Sequence, residues 1–126
     1  MKPIFSAPEV VEKGWGNEIV ICNTSEYCGK LLNFKAGSEF SNHFHIKKRE
    51  TFYVLVGELV FKYFDLTNAK HMERVILAGN VIEIPRCVPH QVKAIVDSTI
   101  IEVSTTHEDS DSYRIGKGDS QKQDGK

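Results

Sequence analysis

His43 and His45 stand two residues apart, and two imidazoles at that spacing converge on one ion only if the backbone is extended. Side chains alternate across a strand, so the pair shares a face with Cα atoms about 6.5 Å apart, leaving room for an ion bonded at roughly 2.1 Å to a nitrogen of each. A helical pair would need a spacing of three or four. Glu50 opens the next apolar segment after a connection rich in Lys and Arg, and in one strand phase it shares a face with Phe52, Val54 and Val56. An ionised carboxylate on such a face is costly to bury unless a cation lies beside it. His90 follows the stiff turn from Pro85 to Pro89 and begins another apolar segment, a position suited to aiming a side chain at a fixed point. Three imidazoles and a carboxylate form a donor set for one divalent transition metal ion, Zn, Fe, Mn, Ni or Co, because nitrogen-rich sites select by geometry and supply. Four protein ligands on an octahedral ion leave two positions for substrate, as a catalytic role requires.

The elements that must position these residues read as short strands. Segments rich in β-branched and aromatic residues recur at Glu18 to Cys22, Tyr27 to Lys35, Thr51 to Val56, Glu58 to Phe64, Glu73 to Leu77, Val81 to Ile84, His90 to Ile95 and Thr99 to Ser104. Turn residues such as Gly37, Gly57, Gly79 and Asp97 separate them, which predicts an all-β sandwich or barrel. Residues 1–115 are expected to form one barrel with an N-terminal arm. Residues 116–126 contain no apolar side chain to offset the entropy of ordering and are expected to be a flexible polar tail.

The 126 residues carry 16 Lys and Arg against 17 Asp and Glu, with no basic stripe to neutralise phosphates, so nucleic acid is not an expected partner. No apolar run is long enough to span a bilayer and the N-terminus does not read as a signal peptide, which predicts a cytoplasmic protein without membrane association. Three cysteines without CxxC spacing point to free thiols.

The run G-x5-HxH-x4-E-x6-G from Gly37 to Gly57 resembles the first motif of the cupin superfamily, and Gly79, Pro85 and His90 match the second, G-x5-P-x-G-x2-H-x3-N. Cys87 replaces a small residue of that second motif and Ala94 its terminal Asn; neither position is a metal ligand in the family, so the departures bear on the shape of the turn. The resemblance implies a double-stranded β-helix, or jelly-roll, barrel with His43, His45, Glu50 and His90 as the ligands. His71 and His107 fall outside both motifs and read as solvated.

Lys30 lies on the same strand face as Cys28, Leu32 and Phe34. Inside the barrel beside a cation its pKa would fall and it could carry a proton or meet an anionic substrate; in the opposite phase it would be a solvated lysine, and both orientations stay open. Glu102, between Ile101 and Val103, could face the cavity as a general base, but its apolar neighbours favour the outer side. Cys87 is expected to pack within its turn.

A second, shorter likeness is to cupins of the phosphomannose isomerase type. It rests on Glu12-Lys-Gly-Trp-Gly-Asn-Glu18, on Lys30-x4-Ala-Gly37 and on the acidic run ending at Arg114, and implies Trp15, Lys30, Asp111 and Arg114 near the barrel mouth. Trp15 also reads as a core plug.

The function this implies is a metal-dependent isomerase or epimerase acting on a small sugar or sugar derivative, with Lys30 or Glu102 moving a proton. An iron(II) dioxygenase and a non-catalytic, metal-stabilised binding module are the alternatives. The arm, residues 1 to 12, could add to a neighbour's sheet, which predicts a homodimer.

Overall fold

A computed structural model describes residues 1–125 and contains two antiparallel sheets packed face to face. The strands are β1 (Glu9–Lys13), β2 (Gly16–Asn23), β3 (Cys28–Phe34), β4 (Asn42–His45), β5 (Glu50–Val56), β6 (Glu58–Asp65), β7 (Lys70–Leu77), β8 (Val81–Ile84), β9 (His90–Ala94), β10 (Ser98–Ser104) and β11 (Ser112–Gly116). One sheet runs β1-β2-β3-β10-β5-β8 and the other β11-β4-β9-β6-β7, the two-layer arrangement of a jelly roll. The strands read from the sequence are present. The HxH segment is extended as its spacing requires, and β1 and β11 are additional.

Alternation explains the core. On β3, Cys28, Lys30, Leu32 and Phe34 are buried while Gly29, Leu31 and Asn33 face outward; on β5, Glu50, Phe52 and Val54 are buried and Thr51, Tyr53 and Leu55 are not. Val56, expected on the inner face, is exposed, because the β10–β5 register shifts between Thr99 and Ile100 just before the turn. Gly57 in that turn has φ 104, and a Cβ there would lie 2.1 Å from Ser98 Oγ, so the position accepts only glycine. Trp15 is a core residue, stacked on Phe34 with ring centroids 4.6 Å apart.

The segment after β11, expected from its composition to be a flexible tail, begins against the body of the barrel. Gly118 is buried against the backbone of Phe40 and Ser41, and the short helix α1 (Asp119–Gly125) begins where Asp119 Oδ2 accepts from Glu39 N and Ser120 Oγ from Gly14 N. Its polar side chains satisfy backbone donors rather than burying apolar surface. No helix among the described residues is long and apolar enough to cross a membrane.

Candidate metal centre

His43 and His45 on β4, Glu50 on β5 and His90 at the start of β9 come together between the sheets, with His43 and His90 directly opposite each other in the β4–β9 ladder. The ligand atoms of the three imidazoles lie within 4.8 Å of one another, a group that could hold a metal ion. Each ring is oriented from behind. Nδ1 of His43 lies 2.7 Å from Ser41 O, Nδ1 of His45 3.2 Å from Asp111 O and Nδ1 of His90 2.9 Å from Val88 O. A carbonyl oxygen only accepts, so each Nδ1 carries the hydrogen, and a ring in its neutral form turns an Nε2 lone pair inward.

Glu50 Oε2 lies 3.1 Å from His90 Nε2 and 3.4 Å from His45 Nε2. Glu50 Oε2 and His90 Nε2 are both buried without a hydrogen-bond partner, so despite their separation the pair is not aligned as a hydrogen bond. In the neutral tautomer set by Val88, lone pair faces lone pair. A cation accepts from both atoms at once, and the donor set therefore fits a divalent ion.

The electrostatics agree. Burial first, and then the neighbouring His90 and His45, push the His43 imidazole down to about 3, while burial takes His45 down to about 4 against the upward pull of Glu50. Both are therefore neutral ligands at ordinary pH. Burial would raise the Glu50 carboxyl, but its neighbours, the Lys48 ammonium among them, hold it below the usual carboxylate range.

Lys30 and Glu102 line the same cavity, of about 310 Å³. Lys30 is buried with Nζ 3.5 Å from Glu18 Oε1, the inward of its two orientations. Glu102 is also buried, a correction to its expected outward phase; its Oε2 accepts from Lys48 Nζ at 3.1 Å and Ser104 Oγ at 3.1 Å. The phase misleads because the outer face of this sheet is itself apolar, with Ile101 and Val103 on it. Arg114 and Trp15 border the cavity. Cys87 is exposed, a correction to the packed position expected of it, because its left-handed backbone (φ 71) places it on the outside of the turn's chain path rather than among the core strands' alternating side chains.

Three further residues have roles that the sequence reading did not give them. Lys48, read only as part of a connection rich in Lys and Arg, is buried with Nζ 3.5 Å from Glu50 Oε1, 3.1 Å from Glu102 Oε2 and 3.0 Å from His107 Nδ1. Its place two residues before Glu50 is the signal that could have found it, since period 2 puts both on one face. His107, expected to be solvated, is half-buried against Lys48 and reaches exposed Asp109 Oδ1 at 2.9 Å through Nε2. Asp111 is a clamp: its carboxylate accepts from the backbone N–H groups of Ile46, Lys47 and Lys48, which fixes the β4–β5 connection. Those donors hold its carboxyl below the usual range although burial alone would raise it.

The cupin-domain family profile matches residues 30–105. A search of the curated proteins found no match. Among solved structures, the chain is similar to Bacillus subtilis oxalate decarboxylase, a protein with Mn(II) centres, at TM-score 0.76 and 14% identity over 86% of this chain and 30% of that one. It is similar to CapF, a capsular polysaccharide assembling protein from Staphylococcus aureus, at TM-score 0.72 and 18% identity over 89% of this chain and 33% of that one. KdgF from Halomonas sp. gives TM-score 0.68 and 19% identity over 83% of this chain and 90% of that one. The chain thus spans about a third of the length of the first two and nearly all of the third. Identities this low speak for the fold alone, and the narrower likeness to phosphomannose-isomerase-type cupins stands on sequence motifs. The family match extends from Lys30 through the three imidazoles, Glu50 and Glu102 to Thr105, well over half of the chain, and the chain belongs to the cupin family.

Proposed function

We propose that the chain is a metal-dependent isomerase or epimerase of a small sugar or sugar derivative, with His43, His45, His90 and Glu50 as ligands of one divalent ion and Glu102 and Lys30 as the proton-moving pair. The observation that carries the reading is that Glu102 and Lys30, neighbours across the β10–β3 ladder, both point into the small polar cavity that the imidazoles line. A divalent ion held there would polarise a substrate carbonyl and acidify the neighbouring C–H. Glu102, oriented by Lys48 and Ser104, would then take that proton. Lys30 stands on the adjacent strand to bind a substrate oxygen or return a proton. The cavity is at the lower end of the range for small-molecule sites, which suits a monosaccharide-sized ligand.

The test is incorporation of deuterium from D2O into a panel of aldoses, ketoses and their phosphates, followed by NMR, with protein loaded in turn with Zn, Fe(II), Mn, Ni or Co. Carbon-bound deuterium that vanishes in Glu102→Gln, with metal content unchanged, supports the reading. Oxygen uptake tied to iron(II) without exchange would overturn it in favour of an oxygenase, and metal-dependent stability without turnover in favour of a binding module.

A further inference from the structure

We propose that the cleft between strands β7 and β8 is a second binding site, separate from the metal centre, and that it takes a small amphipathic carboxylate. One sheet ends at β8 and the other at β7, and a cleft of about 710 Å³ is lined by both edges. It has more than twice the volume of the metal cavity and falls within the usual range for small-molecule sites. Its floor is apolar and deep: Phe61, Ile76 and Ile84 are each no more than 5% exposed, and Ile82 and Val88 are half-buried beside them. The cleft and the metal cavity have no lining residue in common. Phe61 stands between the cleft and the metal ligands, its ring nearly parallel to that of His90 with centroids 6.1 Å apart.

Arg74 interrupts the apolar lining. It lies directly opposite Phe61 in the β6–β7 ladder and two residues before buried Ile76, so alternation places it on the inward face of β7. The two acids that line the cleft are engaged elsewhere. Asp65 accepts from Thr67 N, Asn68 N and Asn68 Nδ2 within its own turn, and Glu83 pairs with Arg49 at 3.5 Å. Arg74 is thus left without an ionic partner among the described residues. Arg86, just beyond β8, donates from Nε to Lys47 O at 2.7 Å, which anchors the guanidinium and leaves its two terminal amino groups to a ligand.

Two uncompensated guanidiniums beside an apolar floor select a ligand with an anionic head and an apolar body. A cation would be repelled, and a neutral apolar molecule would leave the positive field unanswered. A planar carboxylate meets the guanidinium fork with two parallel hydrogen bonds. β8, the shorter wall, has four residues and so a length of about 13 Å at about 3.3 Å per residue, which suits an apolar chain of medium length. A charge turned inward on an edge strand also deters strand addition, and Arg74 alone would serve that end. Guarding an edge does not require Arg86, which lies outside the strand and is anchored over the same floor.

Titration of the full 15N-labelled chain with octanoate, followed by amide chemical shifts, tests this, with octylamine and 1-octanol as cationic and neutral probes of the same chain length. Octanoate is expected to give saturable shifts at Arg74, Ile82 and Val88, and the other two probes to bind at least roughly tenfold more weakly. Arg74→Gln should weaken octanoate by roughly ten- to a hundredfold, the worth of a charged hydrogen bond, and Arg86→Gln by roughly tenfold. Both positions are exposed, so the fold survives either change. Lys93→Gln, which removes a positive charge from the outer face of the other sheet, should leave the affinity unaltered. No saturable shift with octanoate overturns the proposal. So do equal affinities for the three probes, shifts centred on His43 and His45 instead of the cleft, or an Arg74→Gln variant that binds octanoate as the wild type does.

Discussion

Glu50 Oε2 and His90 Nε2 lie 3.1 Å apart, buried, and share no hydrogen bond. A divalent cation bound there would accept a lone pair from each. One equivalent of divalent metal per chain is expected by elemental analysis of protein purified without a histidine tag, falling to a small fraction in His45→Ala and in His90→Ala. Because the ion binds the folded form, saturation at a hundredfold excess over Kd should add about 2.7 kcal/mol, seen as a melting temperature that drops on chelation. A His45→Ala protein that keeps its full metal content would remove the site.

The metal-free protein should lose stability as pH falls from about 6.5 toward about 4. His43 and His45 titrate at about 3 and about 4 when folded, below the ordinary histidine value of 6.5, so in that window the unfolded chain binds more protons than the folded one. Stability then rises with pH through the window and is lost as pH falls, by up to about 1.4 kcal/mol per pH unit for each imidazole. Glu50 adds in the same direction below the ordinary carboxylate value, since its folded form is also the harder to protonate. Urea melts of metal-free protein across this range check the sign; a flat profile between pH 4 and pH 6.5 would contradict it.

The convergence of His43, His45, Glu50 and His90 was legible because the first three lie in one short stretch whose spacing obeys strand geometry, with His90 following the proline turn. What escaped depends on long-range pairing. Lys48 reads as one of three consecutive basic residues, and the Asp111 clamp that fixes the backbone of its connection lies more than sixty residues on. Glu102 was assigned the wrong face because alternation was read as apolar-in, whereas on β10 the outer face carries Ile101 and Val103 and the inner face carries Ser98, Glu102 and Ser104 beside Ile100. Gly118 and Ser120 are held by backbone partners that no composition of the tail reveals.

Lys48 is the counter-ion of two buried carboxylates, so Lys48→Met should be strongly destabilising. Its ammonium, whose pKa is raised by Glu102 and Glu50 despite a desolvation effect in the other direction, would be gone while both acids stay buried. Breaking such a pair by removing one partner costs about 3–5 kcal/mol. Removing a charge on each side should cost less than the sum of the single losses, so Lys48→Met with Glu102→Gln is expected to recover part of the stability. Denaturant unfolding of the two singles and the double measures that coupling, and additive losses would show that the contact carries no energy.

Cys87 holds φ 71, a left-handed backbone that L residues adopt at a cost of roughly 1–2 kcal/mol, in the turn that delivers His90. Its N–H donates to His45 O at 2.7 Å, so the turn's shape is tied to a second imidazole's strand. The thiol itself is exposed and contributes little burial. Glycine would remove the steric cost and add about 0.5–1 kcal/mol of unfolded-state entropy against it. Cys87→Gly is therefore expected to raise stability by about 0.5–1 kcal/mol, the net of these two terms, with metal content unchanged, whereas Cys87→Val, β-branched at positive φ, should lower it. Melting temperatures of the two variants decide the matter: a valine variant as stable as the wild type would show that the turn bears no strain.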